Sequence, residues 1–139
     1  MRLALMLMVA LVAACGGGTP DIAFDLDECR YCRMIISDDR YAAAATTAEG
    51  RTVRFDSIEC LAGWVIAQEE SPRAVWVTLA DAPGKLVPVT EARFKKDDDG
   101  RSPMGQGWFA DYQGISWDSL LVQVRREGAL PLAHEHETT

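Results

Sequence analysis

The sequence predicts an α+β fold built from a repeated unit of short strands and one helix. Three observations carry that expectation. Two stretches of helical periodicity open on capping residues, at Asp56 and at Ser116; one alternating strand runs from Ala74 to Leu79; and short apolar runs bounded by turn residues fill much of the remainder. With 139 residues, 48% of them hydrophobic, the chain is about one domain long and has enough apolar side chain for a real core.

Residues 1–14 read as a signal peptide. Arg2 is followed by the apolar run Leu3 to Val12, which is too short to span a bilayer and of the right length for a secretory segment. Its ending, Leu11-Val12-Ala13-Ala14-Cys15, resembles the lipobox of bacterial lipoproteins, whose cysteine is lipidated and becomes the first residue of the mature chain. Residues 15–24, opening Cys15-Gly16-Gly17-Gly18-Thr19-Pro20, then form a flexible tether. Acyl chains on Cys15 would hold the domain at the cell envelope, facing the periplasm or the outside of the cell, without a transmembrane helix. The net charge of the full chain is -7, and cleavage removes Arg2 and no acidic residue, so the mature protein is more acidic still. That balance argues against nucleic acid as a partner and against a polybasic membrane patch.

The first unit is expected over residues 25–80. Met34-Ile35-Ile36 is a short apolar run and Ser37 to Arg40 a turn; Tyr41 to Thr47 is an alanine-rich strand, Ala48-Glu49-Gly50 a hairpin loop, and Arg51 to Phe55 its partner. Asp56 is the expected N-cap of the first helix, with Glu59 completing a capping box and Ile58, Leu61, Trp64 and Val65 on one face. Ser71-Pro72 ends that helix, and the 74–79 strand closes the unit. A second unit is expected over residues 81–129. It holds an edge strand from Lys85 to Val89 broken by Pro88, a charged loop from Lys95 to Arg101, a strand from Phe109 to Tyr112, and a helix from Trp117 to about Glu127 capped by Ser116. Trp117, Leu120, Leu121 and Val124 face inward. Residues 130–139, with His134 and His136, read as a polar tail. An aromatic residue followed by Asp-Ser stands at both helix starts, Phe55-Asp56-Ser57 and Trp117-Asp118-Ser119, and suggests a duplication.

The chemistry concentrates in Cys29-Arg30-Tyr31-Cys32-Arg33-Met34. Two thiols and a thioether in six residues are the soft ligands that monovalent copper prefers. On an extended chain Cys32 and Met34 leave the same face, and a turn would bring Cys29 to it. Met104, between Pro103 and Gly105, is a second soft ligand in a loop, and a duplicated fold would set it opposite Met34; packing between the units accounts for it equally well. The cysteines by themselves fit more than one chemistry. In an oxidising compartment a structural disulfide, Cys29 with Cys32 or either with Cys60, comes first. Zinc would need a fourth ligand from Cys60, His134 or His136. A thioredoxin-like exchange site is disfavoured because strand and turn, not a helix, follow the motif. Cys60 reads by default as a small buried thiol. No nucleophile-base pattern and no phosphate-cradling loop is present, so no enzyme is expected.

The order of lipobox cysteine, Cys29-x-x-Cys32-x-Met34, alanine-rich strand, Phe55-Asp56-Ser57-Ile58 and Pro103-Met104-Gly105 resembles the NosL family of lipoprotein copper chaperones, accessory to nitrous oxide reductase. The likeness extends from Cys29 to about Glu127. It implies two small homologous ββαβ-type units packed together and one Cu(I) ion held by sulfur, with Cys29, Cys32, Met34 and Met104 as metal ligands. It also implies delivery of copper to nitrous oxide reductase or a related copper enzyme, with an ABC-type maturation complex as partner. The family has Cys-Gly-Met where this chain has Cys32-Arg33-Met34. The alternative of a different class is an envelope thiol-disulfide lipoprotein working through Cys29 and Cys32.

Overall fold

The computed structural model describes residues 18–128. The signal segment, Cys15 and the 130–139 tail with its two histidines lie outside the described residues. Alanine is a poor strand former, yet Ala43–Thr46 forms β1 because it has a partner on each side. It pairs antiparallel with β2, Thr52–Phe55, and with β3, Ala74–Thr78, so Ala43 lies between Phe55 and Val77. The Ala48-Glu49-Gly50 loop closes the β1–β2 hairpin, with Gly50 at a φ of 90°. β4, Leu86–Pro88, pairs with β3 and gives the sheet order β2-β1-β3-β4; it is an edge strand, the place where a proline is tolerated.

Helix α1, Ile58–Ala67, follows β2 and is buried along most of its length. Its N-cap is Ser57 and not Asp56: the Ser57 hydroxyl accepts from the Cys60 N–H at 3.1 Å. Asp and Ser are both good caps, and Asp56 is drawn away by a thiol partner described below. Glu59 does not complete a capping box either. It is fully buried and accepts from the Ser102 hydroxyl and from the Trp108 N–H.

A second, two-stranded antiparallel sheet joins β5, Arg93–Lys96, to β6, Trp108–Asp111. The charged stretch from Lys95 thus begins inside a strand, where only Phe94 of Arg-Phe-Lys-Lys is buried. Helix α2, Trp117–Glu127, is capped by Ser116 and buries Leu120 and Val124. Parallel pairing of Leu79 with Ala110 and the 3.0 Å bond from the Ala80 N–H to the Ala110 carbonyl join the two sheets. The core is shared: Phe55, Leu61 and Val77 pack in one cluster with Phe94, Trp108 and Leu120.

The fold is therefore α+β, with two helices and two antiparallel sheets. The first half runs strand, strand, helix, strand. The expected second unit, residues 81–129, holds β4, β5, β6 and α2, but β4 pairs with β3 in the first sheet, and among the described residues no strand follows α2. The two aromatic-Asp-Ser triplets also differ in place: Ser57 is itself the cap of α1, whereas Trp117-Asp118-Ser119 is the first turn of α2. Near the start of the described chain, Ile22 and Phe24 already pack against the core, and the Arg54 Nε–H donates to the Asp21 carbonyl at 2.6 Å.

Candidate metal centre

The Cys29 to Met34 segment is a tight ribbon. The Cys29 N–H donates to the Met34 carbonyl at 2.8 Å, the Arg33 N–H to the Cys29 carbonyl at 3.0 Å, and Glu28 pairs with Ile35 beyond them. Closing so short a loop forces one residue into the left-handed region, and that residue is Arg33, with φ 69°. This conformation costs a non-glycine residue about 1–2 kcal/mol. Arg33 therefore stands where a glycine would be relaxed. Its guanidinium pairs with Glu28 at 2.7 Å, with both side chains about half exposed, so the pair offsets little of that cost.

The loop points both thiols inward. Cys29 is fully buried and Cys32 is 5% exposed. The backbone N–H groups of Cys32 and Asp56 act to lower the pKa of Cys29, and that of Met34 acts to lower the pKa of Cys32. Backbone donors converging on sulfur stabilise thiolate. The Arg30 N–H donates to the Arg54 carbonyl at 2.8 Å and fastens the loop to the edge of β2. Asp56 comes directly after that strand and Cys60 lies in the first turn of α1, so the β2–α1 junction delivers a carboxylate and a third thiol to the same place.

The result is a buried group of Cys29, Cys32, Asp56 and Cys60, whose ligand atoms all lie within 4.8 Å of one another. All three cysteines are free thiols. A zinc–sulfur bond of about 2.3 Å implies tetrahedral sulfur–sulfur edges of about 3.8 Å, so a contraction of at most ~1 Å would close these atoms around one ion. Their electrostatics favour a cation. Hydrogen bonds donated by Cys32 and Cys60 hold the Cys29 thiol well below its ordinary value, against burial. Cys32 and Cys60 are correspondingly pushed up, because each holds a proton for Cys29. Burial, followed by the nearby Cys29 charge, raises Asp56 to about 6. The Cys32 thiol donates to Asp56 Oδ2 at 3.3 Å, whereas Asp56 Oδ1 has no hydrogen-bond partner among the described residues. Three thiols and an acid crowded together can ionise fully only with a positive charge among them. An ion held by the three sulfurs and Asp56 Oδ1 would supply that charge and satisfy the orphaned oxygen.

Of the four candidate ligands read from the sequence, Cys29 and Cys32 fall in this cluster. The Met34 side chain is half exposed on the ribbon's surface. Met104 sits in the turn 102–107, partly buried and packed against the core. The cluster gains two members that sequence reasoning assigned elsewhere, Asp56 as a helix cap and Cys60 as a filler of the core. Their spacing of four residues around a helix start was the available signal, together with the odd number of cysteines left in the folded part. All four ligands are deeply covered, none more than 5% exposed. Among the described residues no helix is long and apolar enough to cross a membrane. No protein-family model matches the chain, and neither a curated protein nor a solved structure gives a significant match.

Proposed function

We propose that this chain is a metal carrier of the cell envelope, anchored through Cys15. It binds one Cu(I) ion by Cys29, Cys32 and Cys60, and it passes copper to the maturation of nitrous oxide reductase or a related copper enzyme with the help of an ABC-type complex. The observation that carries the metal-binding part is the meeting of three buried thiols and a carboxylate within 4.8 Å. Sulfur predominance favours a soft ion, and the NosL-like order of motifs around it favours copper and supplies the client. Met34 and Met104 remain candidate soft ligands beside the cysteines. Met34, half exposed, is suited to meet an incoming or departing ion before the buried sulfurs do. The role proposed is carriage and not catalysis.

Reduced protein titrated with Cu(I) against a competing chelator tests this. One equivalent should be retained by the wild type and lost when Cys32 and Cys60 are both replaced by serine. Failure of the reduced wild type to compete would refute copper carriage. Rapid, reversible exchange with a small thiol in the absence of uptake would instead favour the thiol-disulfide lipoprotein. A second reading has its own observation. Asp56 completes a set of three sulfurs and one oxygen, which suits tetrahedral Zn(II) in a closed structural site. Parallel titration with Zn(II) distinguishes the two: a structural zinc site would bind zinc tightly, and stripping that zinc with a chelator would lower the melting temperature.

A further inference from the structure

Helix α1 carries a glycine in its interior, where glycine costs about 1 kcal/mol relative to alanine. This residue, Gly63, is buried, and the space in front of it is filled. A Cβ added there would lie 2.8 Å from Cζ, 3.0 Å from Oη and 3.2 Å from Cε1 of Tyr31. Tyr31 belongs to the two-residue spacer between Cys29 and Cys32, and Gly63 stands three residues beyond Cys60, on a neighbouring face of the same turn. A phenol from the loop that bears two thiols is thus seated on the helix that bears the third. Two other ties of that loop run elsewhere: Arg30 bonds to Arg54 of β2, and Arg33 pairs with Glu28 inside the ribbon.

We propose that the seating of Tyr31 on Gly63 is the positioning contact that sets the loop at the depth where Cys29 and Cys32 can share an ion with Cys60. The inference rests on the metal-binding reading above and adds what selects a three-thiol set over a two-thiol one. Tyr31 acts as a rigid spacer. Its ring can come against the helix backbone only because residue 63 has no side chain. An added methyl group must push the ring from under 3 Å to ordinary contact at about 3.5–4.0 Å, a displacement comparable with the contraction needed to close the ligands on an ion. Lifting the loop by that much leaves Cys60 behind.

The test uses Gly63→Ala, Gly63→Val and Tyr31→Ala, each alone, and Gly63→Val combined with Tyr31→Ala. Alanine is the better helix former, so loss of metal affinity in Gly63→Ala at an unchanged or higher melting temperature is something a merely structural role does not produce. Two quantities are measured. The first is Cu(I) affinity against a chelator. The second is the rate at which an azodicarboxamide oxidant joins Cys60 to Cys29 or Cys32 in metal-free protein; two thiols become one disulfide, and the oxidant takes both hydrogens and both electrons to become a hydrazine. Gly63→Val should bind Cu(I) at least ~10-fold more weakly, in the range set by loss of a supporting contact around a metal site. Its Cys60 should also drop out of the cross-link; Tyr31→Ala alone should show both losses, and the double variant should lose no more than either single one. Wild-type affinity and cross-linking in Gly63→Val or in Tyr31→Ala would overturn the proposal, as would losses that add in the double variant. If the wild type takes up no copper but cross-linking follows this pattern, the positioning role stands and copper carriage fails. If it takes up copper while cross-linking ignores residue 63, the positioning role fails alone.

Discussion

Replacing Glu59 by alanine is expected to destabilise the protein by about 3 kcal/mol. The carboxyl oxygen Oε1 accepts from the Ser102 hydroxyl and, at 3.2 Å, from the Trp108 N–H, and all three groups are buried. Leaving two buried donors without an acceptor costs about 1–3 kcal/mol each, and the excised carbon atoms add a cavity of roughly 1 kcal/mol. Against this stands the burden of Glu59 itself. Burial raises its pKa, and Oε2 has no hydrogen-bond partner among the described residues, so its removal recovers about 1–3 kcal/mol. The balance falls near 3 kcal/mol. Urea unfolding of the reduced, metal-free protein, followed by tryptophan fluorescence, reads this directly. With a slope of about 1.5 kcal/mol/M for a domain of this size, the midpoint should fall by about 2 M. Glu59→Gln keeps an acceptor oxygen and should lose less than half as much. An alanine variant with an unmoved midpoint, or a glutamine variant that falls as far as alanine, would show that Glu59 does not tie the second sheet to α1.

Three further outcomes are expected. Arg33→Gly and Arg33→Ala both remove the Glu28 ion pair, so their difference isolates the backbone; glycine should melt higher by the equivalent of about 1 kcal/mol, and equal melting temperatures would contradict a left-handed residue 33. An outer-shell partner of a metal is worth about 10- to 100-fold in affinity, so Cys60→Ser should weaken Cu(I) by ~100-fold or more. Asp56→Asn should instead fall chiefly on Zn(II), and an equal loss of Cu(I) in both variants would rule out a sulfur-dominated copper site. The Asp38 carboxylate accepts from the Arg40 backbone and guanidinium at 2.7–3.0 Å, and the guanidinium holds its pKa below the usual range. That contribution is present above the unfolded pKa of about 3.9 and is lost as pH falls through the folded value. The stability gap between wild type and Arg40→Met should therefore be open at pH 6 and closed in strong acid; a gap of the same size at both would rule out the pair as its source.

Elements with a local cause were legible in the sequence. Ser116 capping α2, the β1–β2 hairpin at Gly50, the β3 strand and the Pro88 edge strand all follow from neighbouring residues, and the structure has them. What was missed depends on distant partners. β5 has one apolar side chain in four, Phe94, and forms because β6 and the bonds from Phe94 to Ile115 receive it. Asp56 looked like a cap because nothing in its neighbourhood reveals Cys32, 24 residues earlier, as its hydrogen-bond partner. The site was half visible for the same reason: Cys-x-x-Cys is a local pattern, whereas Cys60 joins it only when β2 carries the chain back across the loop.

Arg33 has a consequence for how this protein changes by mutation. Every arginine codon is one base away from a glycine codon, so the relaxed residue for its left-handed backbone is always within reach of a single point change. A library of single-base variants sorted for folding should therefore enrich glycine at this position. Sorting the same library for copper retention would show whether the charge beside the thiols merits the strain, since glycine would then be depleted. Residue 33 is where selection for stability and selection for cargo can be made to disagree.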